Sequence, residues 1–149
     1  NEAAQQALTQ GSDDTQTFAY DLANMRTVYD FVVQPDDGSG LPNMQLVYEN
    51  VALDLTLAKL DEQGYLDLML TQFKALEAQG MYYSLESTET AVVGEEIWTL
   101  GKFSLNDGTL YQDFYLRKVD GIMFELIVTY VPTSEDKAKE LTDLLVKVK

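Results

Sequence analysis

LYQDFYLRKVDGIMFELIVTYVP, Leu110 to Pro132, packs large apolar and aromatic residues around a single Asp-Gly. At its middle stands Asp120-Gly121, a pair that tolerates the positive φ of a two-residue hairpin turn. Pairing across that turn sets Val119 opposite Ile122, Arg117 opposite Phe124, Tyr115 opposite Leu126 and Tyr111 opposite Tyr130. One face then carries Val119, Ile122, Phe124, Tyr115, Leu126, Val128, Tyr111 and Tyr130. The other carries Leu116, Phe114, Met123 and Ile127, with Lys118, Glu125 and Gln112 toward its edges. A sheet with one wet face alternates apolar and polar residues, whereas this hairpin is apolar on both faces. The reading therefore expects a sheet covered on both sides.

Working outward, EEIWTLGKFSL and TLYQDFYLRKV flank Asn106-Asp107-Gly108, a second hairpin signal. A turn at Asp107-Gly108 brings Lys102 opposite Asp113 and Trp98 opposite Arg117, while a three-residue loop separates these pairs. MYYSLESTETAVV reads as a further strand with a bend, and MQLVYEN as another. TFAYDLANMRTVYDFVV alternates loosely on both sides of Ala23-Asn24, as two strands would, with a short helix as the alternative. The loop QPDDGSGLPN, Gln34 to Asn43, is rich in Pro, Gly and Asp. Val51 to Ala58 fits strand or helix.

Two helices complete the pattern. Asp61 to Gln79 has Leu66, Met69, Leu70, Phe73 and Leu76 at helical spacing, with Gly80 where a left-handed C-terminal residue is wanted. TSEDKAKELTDLLVKVK carries Thr133 as a cap and an apolar stripe of Ala138, Leu141, Leu144, Leu145 and Val148. With one helix on each face, the fold class is α+β: an antiparallel sheet of about six strands between helices, in three layers. Residues 1–16 read as a polar lead or tether, and 17–149 as a single domain.

Composition excludes several functions. Ten Lys and Arg against 25 Asp and Glu give a net charge of −15, which repels phosphate backbones, so nucleic acid is not an expected partner. Without Cys or His there are no disulfides, thiolate nucleophiles, imidazole bases or zinc sites with thiolate or imidazole ligands. No apolar run reaches the ~20 residues of a transmembrane helix. Asp36-Asp37-Gly38-Ser39-Gly40 lacks the alternating oxygen ligands and distant Glu of a calcium loop, so no metal or cofactor is expected. Neither a phosphate-binding Gly-rich loop nor a Gly-x-Ser-x-Gly elbow is present. Glu95-Glu96 and the run Glu86, Thr88, Glu89 read as wet or edge-strand residues.

Two chemistries remain to be weighed. Trp98, Tyr115 and Arg117 are residue types that dominate binding surfaces, so they form a candidate partner-binding patch; a guanidinium stacked on the indole is the structural alternative. A carboxylate-based hydrolase would need a converging pair among Glu86, Glu95, Asp113 and Glu125, ~5–9 Å apart.

The run GEEIWTLGKFSLNDGTLYQDFYLRKVDGIMFELIVTY followed by TSEDKAKELTDLL, with VYEN and the Asp61–Gln79 helix upstream, resembles the PsbP-like class. Within it the similarity is to small lipoproteins of clostridial and other Gram-positive gut bacteria, over residues 44–149. The class fold is shared with photosystem II extrinsic subunits and a Ran nucleotide-release factor. The N-terminal hairpin departs from the class, having no Gly-Phe-x-Phe-x-x-Pro stretch. The resemblance implies a sheet flanked by helices, export and lipid anchoring, and no activity. The sequence reading therefore expects a non-enzymatic, extracytoplasmic binding or accessory domain, anchored upstream by lipid, with a protein or cell-envelope component as partner. A cytoplasmic protein-interaction adaptor is the other non-enzymatic reading.

Overall fold

In the computed structural model, the structure describes residues 27–34, 38 and 40–143. Their strands are β1 (Thr27–Val33), β2 (Asn43–Asn50), β3 (Tyr83–Val93), β4 (Glu96–Leu105), β5 (Leu110–Val119) and β6 (Ile122–Tyr130). Helix α1 spans Glu62–Ala75 and α2 spans Glu135–Asp143. The strands form one six-stranded sheet in the order β1-β2-β6-β5-β4-β3, antiparallel throughout.

The β5–β6 hairpin has the register expected of it. Tyr115 pairs with Leu126, Arg117 with Phe124 and Val119 with Ile122. The turn works because Asp120 and Gly121 both take positive φ, 48° and 79°. At the β4–β5 turn Asn106, Asp107 and Gly108 are all left-handed, and the strands close at Leu105–Leu110. That register places Lys102 opposite Asp113. The expected bend in β3 is a bulge between Leu85 and Ser87.

Each face is covered by a helix, as the doubly apolar hairpin requires. On one face Phe114, Leu116 and Met123 pack with Tyr65, Leu66 and Met69 of α1. Phe103 and Phe114 meet edge to face at 5.4 Å, and Phe73 stacks on Tyr83 at 4.2 Å. On the other face Tyr115, Leu126, Val128 and Tyr130 pack with Ala138 of α2, joined by Leu141. Leu144, Leu145 and Val148 of the expected stripe lie outside the described residues, as do the tether at 1–16 and the strand read before Ala23.

Helix α1 follows its local signals. The Asp61 side chain accepts from the Gly64 N–H at 2.8 Å, and the chain leaves through a 3-10 turn to Gly80 at φ 81°. Val51 to Ala58, open between strand and helix on sequence, is two 3-10 turns at Val51–Leu53 and Leu57–Lys59. These turns break the alternation, sending Val51 and Leu57 inward and leaving Leu53 and Leu55 exposed. At the C-terminal side it is Ser134 rather than Thr133 whose side chain serves the turn, accepting from the Val131 N–H at 3.2 Å.

Helix α1 approaches the sheet closely at Gly101. A Cβ there would lie 2.7 Å from Cδ1 of Leu66, which is fully buried. Gly101→Val should lower stability by ~1–3 kcal/mol through overpacking. Leu66→Ala alone should cost ~2–5 kcal/mol. Urea unfolding of the double variant should show a loss smaller than the sum of the two, because the deleted side chain is the one that clashes. Additive losses would contradict the close approach.

Candidate functional site

A cleft of about 430 Å³ lies on the α2 face, between the sheet and α2. Strand alternation builds its floor, since Asp113 and Tyr115 of β5, Val128 and Tyr130 of β6 and Lys102 of β4 all point to this side. Glu89 of β3 and Glu135, Lys139 and Asp143 of α2 form the rim.

The floor is polar but largely self-satisfied. Asp113 is 7% exposed, and the Tyr130 hydroxyl donates to its two carboxylate oxygens at 3.2 and 3.3 Å. Burial pushes the Asp113 carboxyl above its ordinary range. The Lys102 ammonium and the Tyr130 hydroxyl pull against that shift, while Glu135 and Glu89 add to it. Tyr115 is pushed up to about 12, first by burial and then by Asp113, Glu89 and Asp143. Tyr130 is raised as well, by burial and then by Asp113, and its ring stacks on Tyr111 at 5.7 Å. Phenols raised in this way stay protonated at neutral pH and serve as hydrogen-bond donors.

Trp98, Tyr115 and Arg117 share this face, and Trp98 and Arg117 each have a local partner. The Trp98 indole N–H donates to the Val93 carbonyl at 3.2 Å. Arg117 makes an ion pair with Glu96 at 3.0 Å. Tyr115 is buried in the cleft floor. Of the three, Tyr115 lines the cleft.

The four carboxylates weighed for catalysis are spread apart. Asp113 lies on the α2 face and Glu125, across the sheet, on the α1 face with Met123 and Ile127. Glu86, exposed in the β3 bulge, accepts from the Ser104 hydroxyl. Glu95 sits in the β3–β4 turn at φ 70° and is exposed. Within the described residues, no group of three or more acidic side chains is placed to hold a metal ion.

A convergence that sequence reasoning missed lies under α1. Glu49 of β2 is 8% exposed, and the Tyr65 hydroxyl donates to its Oε2 at 3.1 Å. Glu125 of β6 is opposite Val47, which sets it diagonal to Glu49 on the same face. Its carboxyl is pushed up to about 8, mainly by burial and then by the negative charge of Glu49, with the Tyr65 hydroxyl pulling the other way. The signal was present in β2: Glu49 shares strand parity with the inward-facing Val47.

The Asp113–Tyr130 contact is open to direct test. Tyr130→Phe leaves a buried carboxylate short of a donor and should cost ~1–3 kcal/mol at pH 7. The cost should shrink at pH 3, where Asp113 is protonated and the donor matters less. Urea unfolding of both proteins at the two pH values measures the difference, and equal costs would contradict the assignment.

No family model matches the chain, and no curated protein matches it. Among solved structures it is similar to the solution structure of cyanobacterial PsbP (CyanoP) from Synechocystis sp. PCC 6803. That comparison has a TM-score of 0.50 at 14% identity and covers 77% of each chain. A protein of unknown function, PA94 from Pseudomonas aeruginosa, described as a putative regulator, aligns at TM-score 0.45 and 14% identity. Here the shares covered are 83% of this chain and 85% of that one. The likeness to CyanoP is one of fold: a PsbP-like antiparallel sheet with a helix on each face.

Proposed function

We propose that this chain is a non-enzymatic binding or accessory domain that works outside the cytoplasm, held at the cell surface by an N-terminal lipid. The observation that carries the binding half is the α2-side cleft, whose side chains hold one another in place around an open concavity. Catalysis by paired carboxylates would need two of them converging on a shared space. Asp113 and Glu125 instead face opposite sides of the sheet, Glu86 is engaged with Ser104, and Glu95 is exposed in a turn. The pair that does converge, Glu49 with Glu125, is packed under α1.

The partner is a protein or another cell-envelope component. Glu89, Glu135 and Asp143 outnumber Lys102 and Lys139 at the cleft, so its field favours cationic groups on that partner. Tyr115 provides an aromatic floor, with Trp98 and Arg117 nearby on the same face. No helix among the described residues is long and apolar enough to cross a membrane. In this reading attachment is by lipid, in keeping with the polar residues 1–16.

A photo-crosslinking residue at position 139, on the cleft rim, should capture an envelope component in intact cells. The same residue at position 53, exposed beside the α1 face, should capture far less. Equal capture from both positions would contradict a cleft-centred surface. Fractionation with metabolic lipid labelling tests the location separately. Lipid-labelled protein in the envelope is expected, and an unlabelled protein confined to the cytoplasm would favour the adaptor reading.

A further inference from the structure

Beneath α1 lies an acidic pair, Glu49 buried and Glu125 half-buried. Glu49 and Glu125 come from neighbouring strands and lie diagonally on one face of the sheet. Over them stands Tyr65, one turn into α1, whose hydroxyl donates to Glu49 at 3.1 Å. The helix is otherwise seated by apolar contacts of Leu66 and Met69 and by the carboxylate of Glu62, which accepts from the Lys118 N–H at 2.8 Å. A hydroxyl from the helix thus meets carboxyl groups from the sheet at the seam between them.

We propose that Glu49, Glu125 and the Tyr65 hydroxyl form a proton-dependent latch that seats α1 on the sheet and weakens as Glu125 loses its proton. The chemistry follows from what surrounds Glu125. From β2 it faces the like charge of Glu49, and from α1 the neutral Tyr65 hydroxyl. Its cross-strand partner on β5 is Leu116, which is fully buried and apolar. The nearest cation on that strand, Lys118, has its ammonium held by the carbonyls of Ala58 and Leu60 at 2.7 Å each. On the connecting segment, Asp54 accepts from the backbone N–H groups of Thr56 and Leu57, and Lys59 is exposed. At the helix start, Glu62 is taken by Lys118. A protonated Glu125 sits in this setting as a neutral donor. An ionised one places two negative charges side by side under the helix.

The sign follows by linkage. A free glutamate ionises near 4.5, whereas burial and Glu49 hold Glu125 protonated up to about 8. Seated α1 therefore binds a proton that the released state has lost, and rising pH favours release across that interval. Above it both states are ionised and the effect levels off. Tyr65, raised well above its ordinary value by burial first and then by the two glutamates, keeps its proton throughout.

Carboxyl-carbon NMR on the ¹³C-glutamate protein reads the proton directly. The Glu125 resonance should titrate with a midpoint near 8. A midpoint in the ordinary range near 4.5 would overturn the latch. Hydrogen exchange then reads the consequence. Protection of the Leu66 and Met69 amides relative to Leu116 should fall between pH 6 and pH 8, by up to roughly tenfold per pH unit, and level off above. In Glu125→Gln the ratio should be flat over the same range. A flat ratio in the natural protein, or an equal slope in both, would refute the proposal. If the glutamine variant does not fold, the titration and the exchange profile of the natural protein decide the matter.

Discussion

Everything in this fold hangs on the burial of one hairpin from both sides. The β5–β6 pair stands at the middle of the sheet, with β2 on one flank and β4 on the other. Its side chains therefore feed two cores, Phe114, Leu116 and Met123 toward α1 and Tyr115, Leu126 and Val128 toward α2. A sheet cannot leave two such faces wet, because each buried aliphatic or aromatic side chain is worth ~1.5–3 kcal/mol on leaving water. Each helix answers one face. The crossing of α1 from β2 at one side to β3 at the far edge is what carries the chain over the first of them.

Polar groups placed inside these cores give the molecule its distinctive electrostatics. Asp113 with Tyr130 on one face and Glu49 with Tyr65 on the other follow a common device: a buried carboxyl met by a phenol. In a chain of net charge −15, a neutral hydroxyl donor satisfies a carboxylate without requiring one of ten cations. The two sites differ in what lies around them. Asp113 borders an open cleft and feels Lys102, whereas Glu125 is half-buried and feels the like charge of Glu49. One arrangement suits recognition and the other suits response to protons.

Much of this architecture was legible before any coordinates, and the reason is local chemistry. Asp120-Gly121 dictates its own turn, which fixes β5 against β6, and the same logic at Asn106-Gly108 fixes β4. Asp61 and Gly80 mark the ends of the helical segment as sequence signals should. What escaped depends on contacts distant in sequence. No turn announces that β2 lies beside β6, so the approach of Glu49 to Glu125 had no local signature. Trp98 and Arg117 found Val93 and Glu96 as partners because hydrogen-bond geometry and charge decide among neighbours. Register alone cannot rank those choices. Val51 to Ala58 alternates like a strand, yet two 3-10 turns bury Val51 and Leu57 and leave Leu53 and Leu55 exposed.

The central claim, that the doubly covered hairpin is the keystone, is tested most directly by native-state hydrogen exchange resolved by residue. The slowest amides should lie in the middle of β5 and β6, around Leu116, Leu126 and Val128, and exchange only by global unfolding. Slowest exchange in the β3–β4 hairpin, with β5 and β6 opening earlier, would contradict it.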